Sequence, residues 1–437
     1  MLRKMSKRFQ VGVEKYLPDA MVLAVLLTLV ILIIGVVAMK ETPLQMLIYW
    51  YDGFYGFLGF SMQMSLILVF GYALAKAPII SRCLYRIAAL ASTPKSGLIT
   101  LMLVVFVLSW VNWGIGMIAG PLLAFQYTRR MKIDFPILIA ASYTAWQAGM
   151  IGIGSSIALT SATPGHMYED LIGVVPVTET IFAPMFLVTL VLGIAVSIFL
   201  FVKMMPSEEE SFILTAAMDA EMLKPVGKPV NFADACEKSK IIKWITCIMG
   251  FVVIIWWFAT SGFDLSLDII IFILLFVGIA MHRNIIEYVQ AINDAAKSVG
   301  GIILQFPFYA GMQGMIASSG LGLAISDAII SVSNQVTLPL FTYLMAAVVN
   351  FFVPSTGGIW GVQGGITCMT FAEMGLPGAL AVNSFSLGEI VSNTIQPFWA
   401  LPMLGVAGLK IKDIWGYCFV AFVGLLIIWG ICTVTIL

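Results

Sequence analysis

The sequence predicts an all-α integral membrane protein built as an inverted repeat, with about nine transmembrane helices and two re-entrant helical hairpins. Three observations carry that expectation. The composition is 60% hydrophobic and only 11% charged, with a mean hydropathy of +1.01; soluble domains are about 25% charged. Apolar runs near the ~20 residues that span a bilayer recur along the whole chain. A weak internal duplication relates the two halves at an offset of 241 to 242 residues.

The 437-residue chain begins with Arg3, Lys4, Lys7, Arg8 and Lys15 ahead of an apolar run at 18–38. No small-residue cleavage site follows, so the run is expected to be a retained first span and not a signal peptide. Further spans are expected at 56–76, 136–160, 181–203, 241–259, 264–281, 299–318, 377–405 and 416–437. Two other apolar stretches, 97–126 and 337–370, are too long for one untilted crossing and too short for two.

Charge placement settles those two stretches. With the N-terminus in the cytoplasm, Lys76, Arg82, Arg86 and Lys95 are also cytoplasmic after two crossings. A single crossing by 97–126 would put Arg129, Arg130 and Lys132 outside and the Lys/Arg-free loop 161–180 inside, against the positive-inside tendency. A hairpin that enters from the cytoplasm and returns places every one of them correctly, along with Lys203, Lys224, Lys228, Lys238 and Lys240. The same logic makes 337–370 a second hairpin, entering from the opposite face, with Lys410 and Lys412 inside and the C-terminus outside.

The duplication supports this plan. Asp52, Gly59, Gln63 and Ala75 pair with Asp294, Gly301, Gln305 and Ala317; then Gly116, Gly120, Pro136 and Ala140 pair with Gly357, Gly361, Pro377 and Ala381. The paired segments run in opposite senses across the membrane, the recurring design of secondary transporters. The expected organisation is a first inverted repeat at 1–205 (hairpin 97–126, broken helix 136–160) and a polar cytoplasmic linker at 206–240. A connecting helix and second repeat follow at 241–437 (hairpin 337–370, broken helix 377–405).

Non-helical backbone at membrane depth is tolerated only inside protein or beside a water-filled cavity. Four polar, glycine-rich breaks qualify: "SWVNWGIG" (109–116), "QAGMIGIGSS" (147–156), "VPSTGGIWG" (353–361) and "GEIVSNTIQP" (388–397). Broken helices present free N–H groups and the positive end of a dipole, which suits a carboxylate; freed carbonyls and hydroxyls suit Na+. Glu389 is the one acid well inside an expected span, and an intramembrane carboxylate is a functional site by default. Trp113, Trp146, Trp360 and Trp399 fall in or beside the breaks, where they either wall an apolar pocket or pack the core. His166 is expected at the surface.

Much is excluded. The six cysteines show no CxxC spacing and no clustering with histidine, so neither a metal site nor a disulfide framework is expected. No nucleotide-binding or hydrolase motif stands in a plausible context. No catalytic residue, cofactor or nucleic-acid partner is expected; the partners expected are a small carboxylate and membrane lipid.

The stretches "LPDAMVLAVLLT", "VNWGIGMIAG", "ATPGH", "QFPFYAGMQGMI", "FFVPSTGGIWGVQG" and "QPFWALPMLGVAGLKIKDIWGYC" resemble the bacterial short-chain fatty acid transporter family, uptake permeases for acetoacetate and butyrate. The resemblance runs from about residue 10 to 437 and leaves out the linker. It implies a place in a wider ion-transporter superfamily: a homodimer in the bacterial inner membrane whose transport domain, carrying both hairpins, moves as an elevator. Hairpin tips in that superfamily carry Ser-Asn-Thr-like signatures for carboxylate and Na+. Here the tips are Val111-Asn112-Trp113 and Pro354-Ser355-Thr356, so neither keeps the full triplet, which fits a substrate with one carboxylate.

The expected substrate contacts are Asn112, Trp113, Ser155, Ser355, Thr356, Gly357, Asn393 and Thr394. The expected coupling-ion residues are Glu389, Ser109, Asn112, Gly152, Ser355 and Asn393, with Na+ or H+ as the ion. Alternatives at this stage are a dicarboxylate or amino-acid carrier and, more remotely, a channel or an intramembrane enzyme. The scarcity of intramembrane Lys or Arg speaks against the dicarboxylate, and the lack of a nucleophile or His-Asp pair against the enzyme.

Overall fold

The computed structural model describes residues 18, 20–206, 230–262, 265–297, 299–351, 353, 355–396, 399–400, 403–404 and 407–435. The basic N-terminal stretch, most of the linker, Pro354 and Pro397 lie outside these residues. Every regular element among them is helical.

The first half comprises α1 (Ala20–Ala38), α2 (Pro43–Phe54), α3 (Leu58–Ala75), α4 (Pro78–Ala88), α5 (Pro94–Val111), α6 (Trp113–Thr128), α7 (Phe135–Gly149), the short α8 (Ser156–Ser161) and α9 (Glu169–Ile172), and α10 (Pro184–Met204). After α11 (Phe232–Glu237) and α12 (Lys240–Ser261) the pattern recurs. The second half comprises α13 (Leu267–Met281), α14 (Ile285–Ala296), α15 (Gly300–Ser318), α16 (Leu321–Val332), α17 (Leu338–Val349), α18 (Thr356–Glu373), α19 (Gly378–Asn393) and α20 (Ile411–Thr435). The starts of α2 through α7 recur in α14 through α19 at offsets of 242 to 244 residues. The hairpins' first arms are offset by 244 and their second arms by 243, so the caps Asn112 and Ser355 correspond, two residues away from the register of the glycine matches at 241. The halves also exchange partners: α1 and α2 pack on α15, while α13 and α14 pack on α3.

Six described helices are long and apolar enough to cross a bilayer, and a seventh crossing arises if α15 and α16, bent by 72°, form one span. One of the six, α5, is an arm of the stretch 97–126, so five of the nine expected runs are single long helices. Of the other four, 299–318 belongs to the bent pair, 264–281 contains a helix of only 15 residues, and 136–160 and 377–405 are interrupted.

The stretch 97–126 lies within two antiparallel helices. Gly97, near the start of α5, faces Tyr127 and Met131 at the far end of α6. The Arg130 guanidinium sits 4.8 Å from the Tyr85 ring centroid, so Arg86, Lys95, Arg129 and Arg130 gather at the open end of the pair. Pro94 and the reciprocal Thr93–Ser96 capping box start α5, and Pro has no N–H for the first turn to leave unsatisfied. The stretch 337–370 folds likewise. Leu338 packs beside Phe371, and Thr342 and Met345 of α17 share a small cavity with Gln363 and Thr367 of α18.

The breaks are narrower than the sequence implies. Only Asn112 leaves the helix between α5 and α6, because it serves as C-cap of one and N-cap of the next. Helix α7 stops at Gly149 and resumes at Ser156, while α19 runs unbroken through Gly388 and Glu389 to Asn393. Glu389 therefore sits on regular helix, not in a loop.

Candidate functional site

The second hairpin tip and the end of α19 are joined by a buried polar network. Ser355 has extended backbone and caps α18, its hydroxyl accepting from the Gly358 amide at 3.3 Å. That places Thr356 in the first turn, where its hydroxyl donates to Glu389 Oε1 at 2.7 Å. The Asn393 amide, one turn on from Glu389, donates to the same oxygen. Asn350, at the end of α17, donates to the Glu389 carbonyl at 3.1 Å, to Ser392 Oγ at 2.9 Å and to Asn393 Oδ1 at 2.6 Å. Gln396 closes the ring, donating to the Asn350 carbonyl at 3.2 Å. Glu389, Asn350, Ser392 and Asn393 are all 0% exposed.

The first tip is built differently. Asn112 Oδ1 accepts from the Gly114 amide at 2.9 Å, and Gly71 on α3 lies so close that a methyl there would fall within 3.0 Å of that side chain. Ser109 donates to the Trp146 carbonyl at 2.6 Å, and Trp146 Nε1 donates to the Trp113 carbonyl at 2.7 Å. Trp399, just beyond the second break, packs edge-on against both Trp113 and Trp146, with centroids 6.0 and 5.9 Å apart. Tyr143 links the halves: its hydroxyl donates to the carbonyls of Asn393 and of Gln396, the latter at 2.9 Å. It thus satisfies carbonyls released where α19 ends.

Unpaired buried polar atoms are rare in folded proteins, and each wants an explanation. Here two groups differ in sign. At the first tip Asn112 Nδ2, Trp113 Nε1 and Trp399 Nε1 are donors, with both ends of the Gln147 amide unpaired beside them on α7. In the second network the unpaired atoms are acceptors: Glu389 Oε2, Asn350 Oδ1 and Gln396 Oε1. The orientations of the Asn112, Asn350 and Gln396 amides follow from the bonds their other atoms make.

Several expected residues are already engaged. Thr394 turns its hydroxyl back to the Val391 carbonyl at 2.6 Å, and Ser155 caps α8. Gly152 is a packing position: a Cβ there would meet the Trp110 carbonyl and ring at under 3.0 Å. Gly357 packs against Phe60. Trp113, Trp146 and Trp399 make one aromatic cluster, whereas Trp360 packs on Phe385 and Tyr168. His166 organises a surface loop, with Nδ1 accepting from the Tyr168 amide and Nε2 donating to the Gly173 carbonyl.

Tyr143, Asn350, Ser392 and Gln396 were missed from the sequence. Asn350 plays the part in its half that Ser109 plays in the first, since both donate to a carbonyl of the broken helix in their own half, but at the helix offset of 243 to 244 residues the two are not equivalent positions, so the repeat gave no signal for it. No group of three or more His, Cys, Asp or Glu that would hold a metal ion occurs among the described residues. The space beside the second break is small, a cavity of about 10 Å³ lined by Tyr143, Thr394, Gln396, Trp415 and Cys418 among others. That is room for about one water.

Residues 1–436 match the family model described as short chain fatty acid transporter. Two bacterial relatives, provisionally named short-chain fatty acid transporters, are similar over nearly their whole length. A protein of Escherichia coli is 34% identical over 437 residues, covering 99% of each chain. One of Haemophilus influenzae is 35% identical over 439 residues, covering 97% of each. Two solved structures share the fold at low identity. The YdaH transporter of Alcanivorax borkumensis has a TM-score of 0.59 at 14% identity, covering 95% of this chain and 98% of its own. MtrF of Neisseria gonorrhoeae, described with a class of antimetabolite efflux pumps, has a TM-score of 0.56 at 16% identity, covering 98% and 97%.

Proposed function

The chain belongs to the short-chain fatty acid transporter family, and from that membership we propose that it takes up butyrate, acetoacetate and similar small monocarboxylates by cation-coupled symport. It is a multi-pass membrane transporter and not an enzyme. The observation that supports the coupling is the excess of unpaired donors at the first tip, where Gln147 Oε1 is the exception, set against the unpaired acceptors around Glu389.

A carboxylate needs N–H donors. Asn112 Nδ2 and the indole N–H groups of Trp113 and Trp399 offer them beside aromatic faces on which a short alkyl tail rests. A cation needs oxygens, and Na+ would be held by Glu389 Oε2 with the Asn350 and Gln396 side-chain oxygens. A proton would instead reside on Glu389 itself. Glu389's described side-chain partners, Thr356 and Asn393, are neutral, and an isolated buried carboxylate is too costly to leave uncompensated. Carrying an anion inward against an inside-negative potential costs about 2.3 kcal/mol per 100 mV, which one accompanying cation cancels.

Each methylene of the tail adds only about 0.8 kcal/mol of burial, so chain-length selection rests on steric closure against the tryptophans. In this reading the protein is a homodimer in the cytoplasmic membrane, its N-terminus inside. The two hairpins and broken helices form an inverted-repeat transport unit that moves as an elevator, and the tightness of the site belongs to a closed state. Labelled butyrate uptake into proteoliposomes under a Na+ gradient, a pH gradient or neither tests the coupling. Accumulation is expected under one gradient only. Ser355→Ala with Thr356→Ala is expected to depress it, and unchanged uptake kinetics in that variant would refute the site.

A further inference from the structure

A second polar site stands apart from the transport network, at the start of α12. A cavity of about 500 Å³ is lined by Lys238, Lys240, Lys243, Trp244, Arg283 and Asn284. Four of its six lining residues are cationic. Their acidic counterweights are few: Asp234 pairs with Lys238 at 2.7 Å and Glu287 with Arg283 at 3.5 Å. Glu237 on α11 is exposed nearby in sequence. No described ion pair involves Lys240 or Lys243, so the pocket carries a local excess of positive charge.

Its construction favours an anion. Helices α12 and α14 both begin here, capped by Ser239 and Asn284, so two positive dipole ends converge on the pocket. Lys243 is held in place: it is 5% exposed, and its ammonium donates to the carbonyls of Ala280 at 3.2 Å and His282 at 3.0 Å. An ammonium has three donors, and the Trp244 ring lies 4.4 Å from this one.

The surroundings identify the source of the anion. From the pocket, α12 runs 22 residues with an exposed apolar face that includes Ile241, Ile245, Ile248, Met249 and Val252. In a membrane protein such a face meets acyl chains. The basic pocket at its end, beside a half-exposed Trp244, then lies at headgroup depth, where tryptophans concentrate. We propose that this pocket binds the phosphate of an anionic phospholipid, its acyl chains lying along α12. A zwitterionic lipid is disfavoured because its own cationic group meets Lys240 and Lys243, which no described ion pair neutralises. This assignment is independent of the transport site.

Titration of the detergent-purified full-length protein with phosphatidylglycerol, phosphatidylcholine or inorganic phosphate, followed by native mass spectrometry, tests it. Each basic residue near an anionic headgroup contributes about five-fold in affinity. Phosphatidylglycerol is expected to bind at least about five-fold more tightly than phosphatidylcholine. Lys240→Gln, at an exposed position that leaves the fold intact, is expected to weaken phosphatidylglycerol about five-fold, and Lys238→Gln with Lys240→Gln about twenty-five-fold. Neither change should alter phosphatidylcholine binding, and Lys240→Arg should restore the loss. Equal binding of the two lipids, or unchanged phosphatidylglycerol binding in the double variant, would overturn the assignment. Inorganic phosphate that displaces phosphatidylglycerol at comparable concentration would overturn the lipid as its source.

Discussion

Glu389→Gln separates coupling from folding. Thr356 and Asn393 both donate to Oε1 of Glu389, and a glutamine keeps an oxygen there. The atom replaced by NH2 is Oε2, which has no hydrogen-bond partner among the described residues. No described bond is lost, so the thermal midpoint is expected to move by only a few degrees, the scale of a change near 1 kcal/mol. Transport responds on a different scale. With one cation per carboxylate, a tenfold inward cation gradient, about 1.4 kcal/mol, concentrates butyrate about tenfold. The complex is neutral, so an inside-negative potential leaves that ratio unchanged. Without the cation, the anion feels the full 2.3 kcal/mol per 100 mV, and its equilibrium shifts outward by about fifty-fold. Labelled butyrate in proteoliposomes, with the potential clamped at zero and at 100 mV by a potassium ionophore, reads both quantities. Tenfold accumulation by the variant, insensitive to potential, would refute a coupling role for Glu389.

Asn112→Asp tests the first tip: aspartate is as good an N-cap as asparagine, so α6 should persist, but the unpaired donor becomes an anionic acceptor. Losing a hydrogen bond to a charged group, about 1.5–3 kcal/mol, should raise the KM for butyrate about tenfold or more, and because Asn112 is fully buried the added carboxylate should also lower the thermal midpoint; an unchanged KM would remove Asn112 from the site. Gly152→Ala forces a methyl to within 3.0 Å of the Trp110 carbonyl. Overpacking of this kind costs about 1–3 kcal/mol and should lower the midpoint measured in detergent. His282, at the end of α13, is buried against the Gly278 carbonyl and the Tyr288 ring with Lys243 and Glu287 nearby. Burial pushes its pKa below 6.5, so the unfolded chain takes up a proton there first and stability falls as pH drops below about 6.5. His282→Gln should flatten that decline in a pH series of thermal midpoints.

The fold was legible where charge or periodicity left a record. Basic residues on both sides of 97–126 have one placement that keeps them on a single face, and the antiparallel α5 and α6 bring Arg86, Lys95 and Arg129 to one end. Both tips were legible because Asn112 and Ser355 are polar residues ahead of glycines within apolar runs, and both prove to be N-caps. Glu389 was visible as the lone acid in a span. Tyr143 left no such record. Its partner Asn393 is 250 residues away, and within an apolar helix a tyrosine has the signature of core packing. Only the fold brings its hydroxyl to the end of α19. The breaks were drawn too wide for a related reason: glycine content marks where helix is weak, whereas a single capping side chain decides where it stops.

The two halves share one architectural rule and differ in one chemical respect. In each, a polar side chain at the end of the first hairpin arm, Ser109 or Asn350, bonds a carbonyl of the broken helix, and a capping residue begins the second arm. The rule holds the tips against the broken helices and so fixes where their spare atoms point. The difference lies in what is left over. An amide caps the first tip and spends its oxygen on the Gly114 amide, leaving an N–H; a hydroxyl caps the second, and the next residue reaches a carboxylate, leaving oxygens. Duplication thus supplies two equivalent frames, and divergence at Asn112 and Ser355, with an acid at position 389, gives them opposite electrostatic character. Two frames of like character would favour two anions or two cations. On the symport proposed above, opposed frames bridged by Tyr143 would take one of each, and transport of a single carboxylate would then be independent of membrane potential.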